Sequence, residues 1–130
     1  MASITITDTK LKGLKKISAF VAGDERGALV KTYEERQYKT YGLEFDTSEI
    51  MFSVSRKGVL RGLHFQTEAP QAKIVTVIKG AVWDVAVDLR KDSETCGGWC
   101  GTYLSDENRE GLFIPKGFAH GFLSLQEDTV

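Results

Sequence analysis

Two histidines and the cations near them are where chemistry is possible in this chain. His64 sits in Arg61-Gly62-Leu63-His64-Phe65-Gln66, and Lys73 follows it nine residues later. His120 lies in Pro115-Lys116-Gly117-Phe118-Ala119-His120-Gly121-Phe122. A guanidinium, an imidazole and an ammonium held together make a proton acceptor suited to an anionic substrate. The cations favour the neutral imidazole, which takes a proton at neutral pH, and they attract the anion. The competing interpretation is a histidine packed into a sheet with two surface cations, and spacing alone leaves both open.

The elements around these residues must bring them to one side. A strict pleat puts His64 with Gly62 and Gln66, and Arg61 with Leu63 and Phe65 on the opposite face. A bulge at Gly62 would return both to the same side, and glycine inside a strand often marks one. The polar turn Thr67-Glu68-Ala69-Pro70-Gln71, with a proline that cannot continue a ladder, leads into residues 73–79. That nearly continuous apolar run reads as a strand buried on both faces. Alternation over residues 81–89 turns Trp83, Val85, Val87 and Leu89 one way. Asp84 and Asp88 turn the other way with Val82 and Ala86, and either is a candidate to orient a histidine or a cation. Phe118 and Phe122, on the face of His120, read as core.

Further strands are expected over residues 17–21, 28–33, 50–55, 59–66, 99–104, 111–114 and 119–125. Gly23-Asp24-Glu25-Arg26-Gly27 reads as a polar turn, and residues 92–98 as a loop. The one helix expected, residues 34–41, ends on Gly42 as its cap. Nine or ten short strands with so little helix argue an all-β sandwich or barrel, between which periodicity does not choose.

A chain of 130 residues makes one domain. Its net charge of −1 supplies no field that would recruit nucleic acid or an anionic membrane. No apolar run approaches the ~20 residues needed to span a bilayer. The N-terminus lacks the basic and apolar blocks of a signal peptide. Cys96 and Cys100 have no second pair or nearby histidine to complete a zinc site, so they read as free thiols of a cytoplasmic protein.

Five motifs carry a family resemblance. They are Gly23-Asp24-Glu25-Arg26-Gly27, Arg61-Gly62-Leu63-His64-Phe65-Gln66, Lys73, Val82-Trp83-Asp84-Val85-Ala86-Val87-Asp88-Leu89-Arg90 and Ile114-Pro115-Lys116-Gly117-Phe118-Ala119-His120-Gly121-Phe122. In that order they resemble the dTDP-4-dehydrorhamnose 3,5-epimerase family over roughly residues 17–126. The resemblance implies a double-stranded β-helix jelly roll of the cupin type, a single domain over residues 1–130, with the site inside the barrel. It implies an epimerase that acts on a nucleotide-linked 4-keto-6-deoxy sugar in rhamnose synthesis and inverts C3 and C5. Such chemistry needs a base for the α-proton, a holder for the enolate charge and an acid on the opposite face. By resemblance His64 is the base, Lys73 is the cation at the ketone oxygen, and Arg61 and His120 contact substrate. Arg26 matches a diphosphate-binding arginine, whose planar fork meets phosphate oxygens in pairs.

The same resemblance implies no metal and no cofactor. Two histidines 56 residues apart, with no His-x-His pair, also leave a cupin metal set short. It implies a homodimer in which N-terminal strands add to the partner's sheet, and weak alternation in residues 3–7 fits such an arm. Lys31 stands at a substrate-contacting position where the family usually has glutamate, and Met51 where it has asparagine. Relatives continue past the position of Val130 with a tyrosine taken as proton donor and an aspartate paired with the base. The 130-residue chain is therefore expected to exchange α-protons through His64 but to invert poorly. The alternative is a nucleotide-sugar-binding cupin without catalysis, to which Lys31 and Met51 point. A ketoisomerase of the cupin type would lack Arg61-Gly62-Leu63-His64.

Overall fold

The computed structural model describes residues 3–43, 45–68 and 70–130. Among these the chain runs β1 (Thr5–Asp8), β2 (Lys15–Ser18), β3 (Phe20–Asp24), β4 (Gly27–Lys31) and α1 (Glu35–Thr40). It continues β5 (Leu60–His64), β6 (Lys73–Thr76), β7 (Ala81–Asp88), β8 (Trp99–Ser105), β9 (Glu110–Ile114) and β10 (Phe118–Ser124).

Alternating apolar residues decide the layers. Leu112 and Ile114 of β9 meet Val82 and Ala86 of β7, Leu104 of β8 and Phe118 of β10 in one buried cluster. Two four-stranded antiparallel sheets thus face each other, ordered β1-β2-β9-β6 and β5-β10-β7-β8. The result is a cupin-like β-sandwich with one short helix. Asp84 and Asp88 lie on the inner face with Val82 and Ala86, as the alternation of β7 requires, and both are fully buried. Phe118 belongs to the inter-sheet core and Phe122 packs against it.

A second cluster covers the outer face of the first sheet. Tyr38 and Leu43 close over Ile6 of β1, Ile17 of β2 and Phe113 of β9. The six-residue α1 is too short to persist alone, and Tyr38 anchors it by burial and by donating its hydroxyl to the Thr32 carbonyl at 3.0 Å.

Several elements differ from the sequence reading. Residues 50–55 form no strand: Ile50 is 88% exposed, Met51 and Phe52 are exposed too, and only Ser55 makes an isolated bridge, to Thr129. An apolar run becomes a strand only where a neighbour takes its backbone hydrogen bonds, and among the described residues no strand lies alongside this one. The run 73–79 is an edge rather than an interior strand, with β6 half-buried and Ile78 and Lys79 exposed. Residues 17–21 divide at Ala19, because β2 joins the first sheet whereas β3 pairs with β4 in a sheet of two strands. The intervening turn narrows to Glu25-Arg26. Residues 5–8 form β1, the edge strand of the first sheet, paired with this chain's own β2. The turn before β6 is described except for Ala69, which lies outside the described residues. No helix among the described residues is long and apolar enough to cross a membrane.

Candidate active site

The backbone of β5 decides which side chains meet. Opposite β10, His64 pairs with His120 and Arg61 with Phe122, so Gly62 and Leu63 together face the single Gly121. That is a β-bulge. Gly62 has φ +100°, and a Cβ there would stand 2.6 Å from the His120 carbonyl oxygen, so only glycine lets β10 approach this closely. Directly opposed residues share a face. The bulge therefore turns Arg61 and His64 to the side of Phe122 and His120, which an unbroken pleat would not.

That side is the inner one. In β7, Asp84 opposes Phe122 and Ala86 opposes His120, and both β7 residues are buried. The second wall comes from the other sheet. Lys73 opposes Ile114 and Val75 opposes Leu112, and both of those β9 residues lie in the inter-sheet core. Lys73 is thus turned inward as well. Arg61, His64, His120 and Asp84 occupy one wall of the sandwich, with Lys73 on the wall it faces.

Their hydrogen-bond states differ. Arg61 donates from Nε to Oγ of the buried Ser55 at 3.1 Å, which leaves the outer part of its fork available. Neither His64 nor Lys73 has a hydrogen bond or ion pair among the described residues. His120 Nε2 lies 2.6 Å from Asp84 Oδ2, and the other oxygen of Asp84, Oδ1, is buried with no partner among the described residues. Burial pushes the Asp84 carboxyl up, against the opposing effect of the hydrogen bond and charge of His120. The expected enclosure is incomplete here: every residue of β5 is exposed, so the wall carrying His64 is an open edge rather than a barrel interior.

The remaining predicted site residues lie elsewhere. Arg26 occupies the tip of the β3–β4 hairpin, exposed and forked onto Asp24, with Nη2 to Oδ2 at 2.6 Å. That contact lowers the Asp24 carboxyl and raises the Arg26 guanidinium. Lys31 ends the same hairpin, 3.7 Å from Glu34. Neither belongs to the two walls. Sequence reasoning did not find Ser55 as the partner of Arg61, because the residues around it read as a strand. It set Asp84 on one face of β7 with Val82 and Ala86, as a candidate to orient a histidine or a cation, but had no signal that this face is the inner one or that the partner is His120.

A family model described as dTDP-4-dehydrorhamnose 3,5-epimerase matches residues 8–130. The dTDP-4-dehydrorhamnose 3,5-epimerase of Methanothermobacter thermautotrophicus is 50% identical over 130 residues, all of this chain and 70% of that protein. The structure of a dTDP-6-deoxy-D-glucose-3,5-epimerase from Legionella pneumophila, in complex with dTDP-4-keto-L-rhamnose, superposes with a TM-score of 0.92 at 43% identity. That match covers 97% of this chain and 68% of the other. A 3'-monoepimerase from Streptomyces bikiniensis, in complex with dTDP-quinovose, reaches a TM-score of 0.84 at 27% identity, over 92% of this chain and 62% of that one. The chain spans only 37 to 61% of several further curated relatives. A cupin-like β-sandwich is the architecture these epimerases share with this protein. The chain belongs to the dTDP-4-dehydrorhamnose 3,5-epimerase family.

Proposed function

We propose that this protein is an isomerase converting dTDP-4-dehydro-6-deoxyglucose to dTDP-4-dehydrorhamnose by inversion at C3 and C5, a step of deoxysugar synthesis. The observation that carries this reading is the bulge at Gly62, which turns His64 and Arg61 to one face of the sheet, with Lys73 on the facing wall. His64, whose side chain has no partner among the described residues, takes the proton from the carbon next to the ketone. Lys73 brings an unpaired ammonium to the oxygen on which charge develops, and such stabilisation usually supplies the larger share of the rate. Arg61, braced by Ser55, and His120, braced by Asp84, bind the sugar. The reaction as written uses no metal and no cofactor.

Arg26 and Lys31 take part through a homodimer. Their hairpin belongs to neither sheet of the sandwich, and in a pair of copies it is free to meet the diphosphate held by the other. The outer face of the β5-β10-β7-β8 sheet supports association, since Leu60, Trp83 and Tyr103 lie exposed in one row across it and β5 is an unpaired edge. Cys96 and Cys100 carry free thiols, which suit the cytoplasm.

Incubation with dTDP-4-dehydro-6-deoxyglucose in deuterium oxide tests the assignment. Deuterium should enter at C3 and C5, and His64→Asn should abolish entry without moving the thermal unfolding midpoint. Exchange that survives in the variant removes His64 as the base. A folded protein that exchanges nothing would favour the non-catalytic sugar-binding reading, whereas deuterium at C3 alone would make the protein a mono-epimerase.

A further inference from the structure

Asp84 is a poor choice for stability alone. Its side chain is fully buried on the inner face of β7, the face that Val82 and Ala86 give to the inter-sheet core, and one of its oxygens has no partner among the described residues. A buried carboxylate with a single hydrogen bond is costly, and an apolar residue of similar volume is often better tolerated. The single bond it makes is specific. Asp84 sits on β7 diagonally from His120, two residues along from its register partner Ala86, and reaches Nε2 at 2.6 Å. His120 is itself largely buried, its side chain 12% exposed, with Nδ1 bonded to nothing among the described residues. The ring stands opposite His64 on the adjacent strand, with Arg61 on the same face and Lys73 on the facing wall.

We propose that Asp84 is a positioning residue: by accepting a hydrogen bond from Nε2 it fixes the ring and tautomer of His120, so that Nδ1 is the nitrogen presented to the sugar beside His64. The consequence is directional. With the Nε2 proton committed to Asp84, the neutral ring offers a lone pair at Nδ1 to a sugar hydroxyl, and the charged ring offers an N–H there to the developing oxyanion. Without Asp84 the two tautomers interconvert and the ring turns about its χ angles. The part of this proposal that concerns turnover rests on His120 contacting the sugar, as proposed above; the part that concerns the tautomer does not.

Long-range proton–nitrogen spectra of the full 130-residue chain, without substrate, address the tautomer. With the ring neutral, His120 of the unaltered protein should show the Nε2–H form alone, and in Asp84→Ala a mixture of both forms. A wild-type spectrum with the proton on Nδ1, or an unchanged ring in Asp84→Ala, overturns the proposal. Kinetics supply the second arm. Asp84→Ala should lower the solvent-exchange kcat on the order of 10²-fold with KM changed little, as for a displaced catalytic contact. Asp84→Asn, whose carbonyl can still accept from Nε2, should recover much of that loss. A purely structural role would instead lower the melting point and leave kcat of the folded fraction unchanged. Should the alanine variant fail to fold, the wild-type spectrum and the asparagine variant still decide. Should the wild-type protein turn over no sugar, the spectrum stands and only the functional reading fails.

Discussion

Asp84 and Asp88 stand four residues apart on the same face of β7, both with no exposed surface, yet they live in opposite electrostatic states. Asp88 accepts five hydrogen bonds. Arg90 contributes its backbone N–H, Nε and Nη2, each at 3.0 Å, while Ser93 Oγ and Thr95 Oγ1 donate at 2.6 Å. The guanidinium of Arg90 above all holds the Asp88 carboxyl far below the usual carboxylate range. Asp84 has one histidine and an orphaned oxygen, and burial pushes its carboxyl up. The difference teaches how one strand divides its labour. The Asp88 end is satisfied and locks a loop, with Arg90 reaching on to the Lys12 carbonyl and stacking 4.8 Å from the Phe118 ring. The Asp84 end carries the electrostatic cost beside the two histidines, where chemistry has a use for an unsatisfied group.

This division is easiest to break at Asp88. Asp88→Ala leaves the Arg90 guanidinium without its carboxylate and frees the hydroxyls of Ser93 and Thr95. A loss of about 3 kcal/mol is expected by chemical denaturation, in line with removing one partner from a buried pair. Exchange activity measured on the folded fraction should stay near normal, because Arg90, Ser93 and Thr95 make no hydrogen bond to Arg61, His64, Lys73, Asp84 or His120 among the described residues. Activity that vanished while the fold persisted would erase the distinction.

Acid sharpens the comparison. Asp88 has a folded pKa below its unfolded value of about 3.9, so its contribution is complete above about pH 4 and drains away as pH falls. Asp84, shifted upward, does the reverse: its contribution is complete below about pH 4 and is lost as pH rises. Asp88→Asn should accordingly flatten the fall of stability in acid. The smallest effect expected is that of Asp84→Asn, which removes a buried charge. At pH 7 its stability should equal or exceed the parent's, by up to about 1 kcal/mol, with the gain vanishing toward pH 4. A large destabilisation at pH 7 would make the two aspartates alike.

Much of this arrangement was legible in the residues themselves. The alternation of β7 put both aspartates on one face with Val82 and Ala86, glycine inside Arg61-Gly62-Leu63-His64 marked the bulge, and Gly42 marked the end of α1. These are local signals, set by the pleat or by a single backbone conformation. What was not legible depends on partners distant in sequence. Residues 50–55 have the composition of a strand but no strand alongside them. The apolar run at 73–79 looked interior, although β6 is an edge strand that pairs only with β9. Nothing in the spacing could tell that Asp84 takes a histidine 36 residues away while Asp88 takes an arginine two residues on. Likewise, Arg26 and Lys31 read as part of one site, whereas their hairpin forms a sheet of its own.

The chain's two tryptophans, Trp83 and Trp99, both lie on the outer face of the β5-β10-β7-β8 sheet, partly exposed, with the ring of Trp83 resting over Gly101. The site walls are on the opposite side of that same layer. Intrinsic fluorescence is therefore a built-in reporter of what settles on the back of the sheet: a sugar bound between the walls should scarcely disturb the emission, whereas a second copy covering the outer face should shift it to the blue.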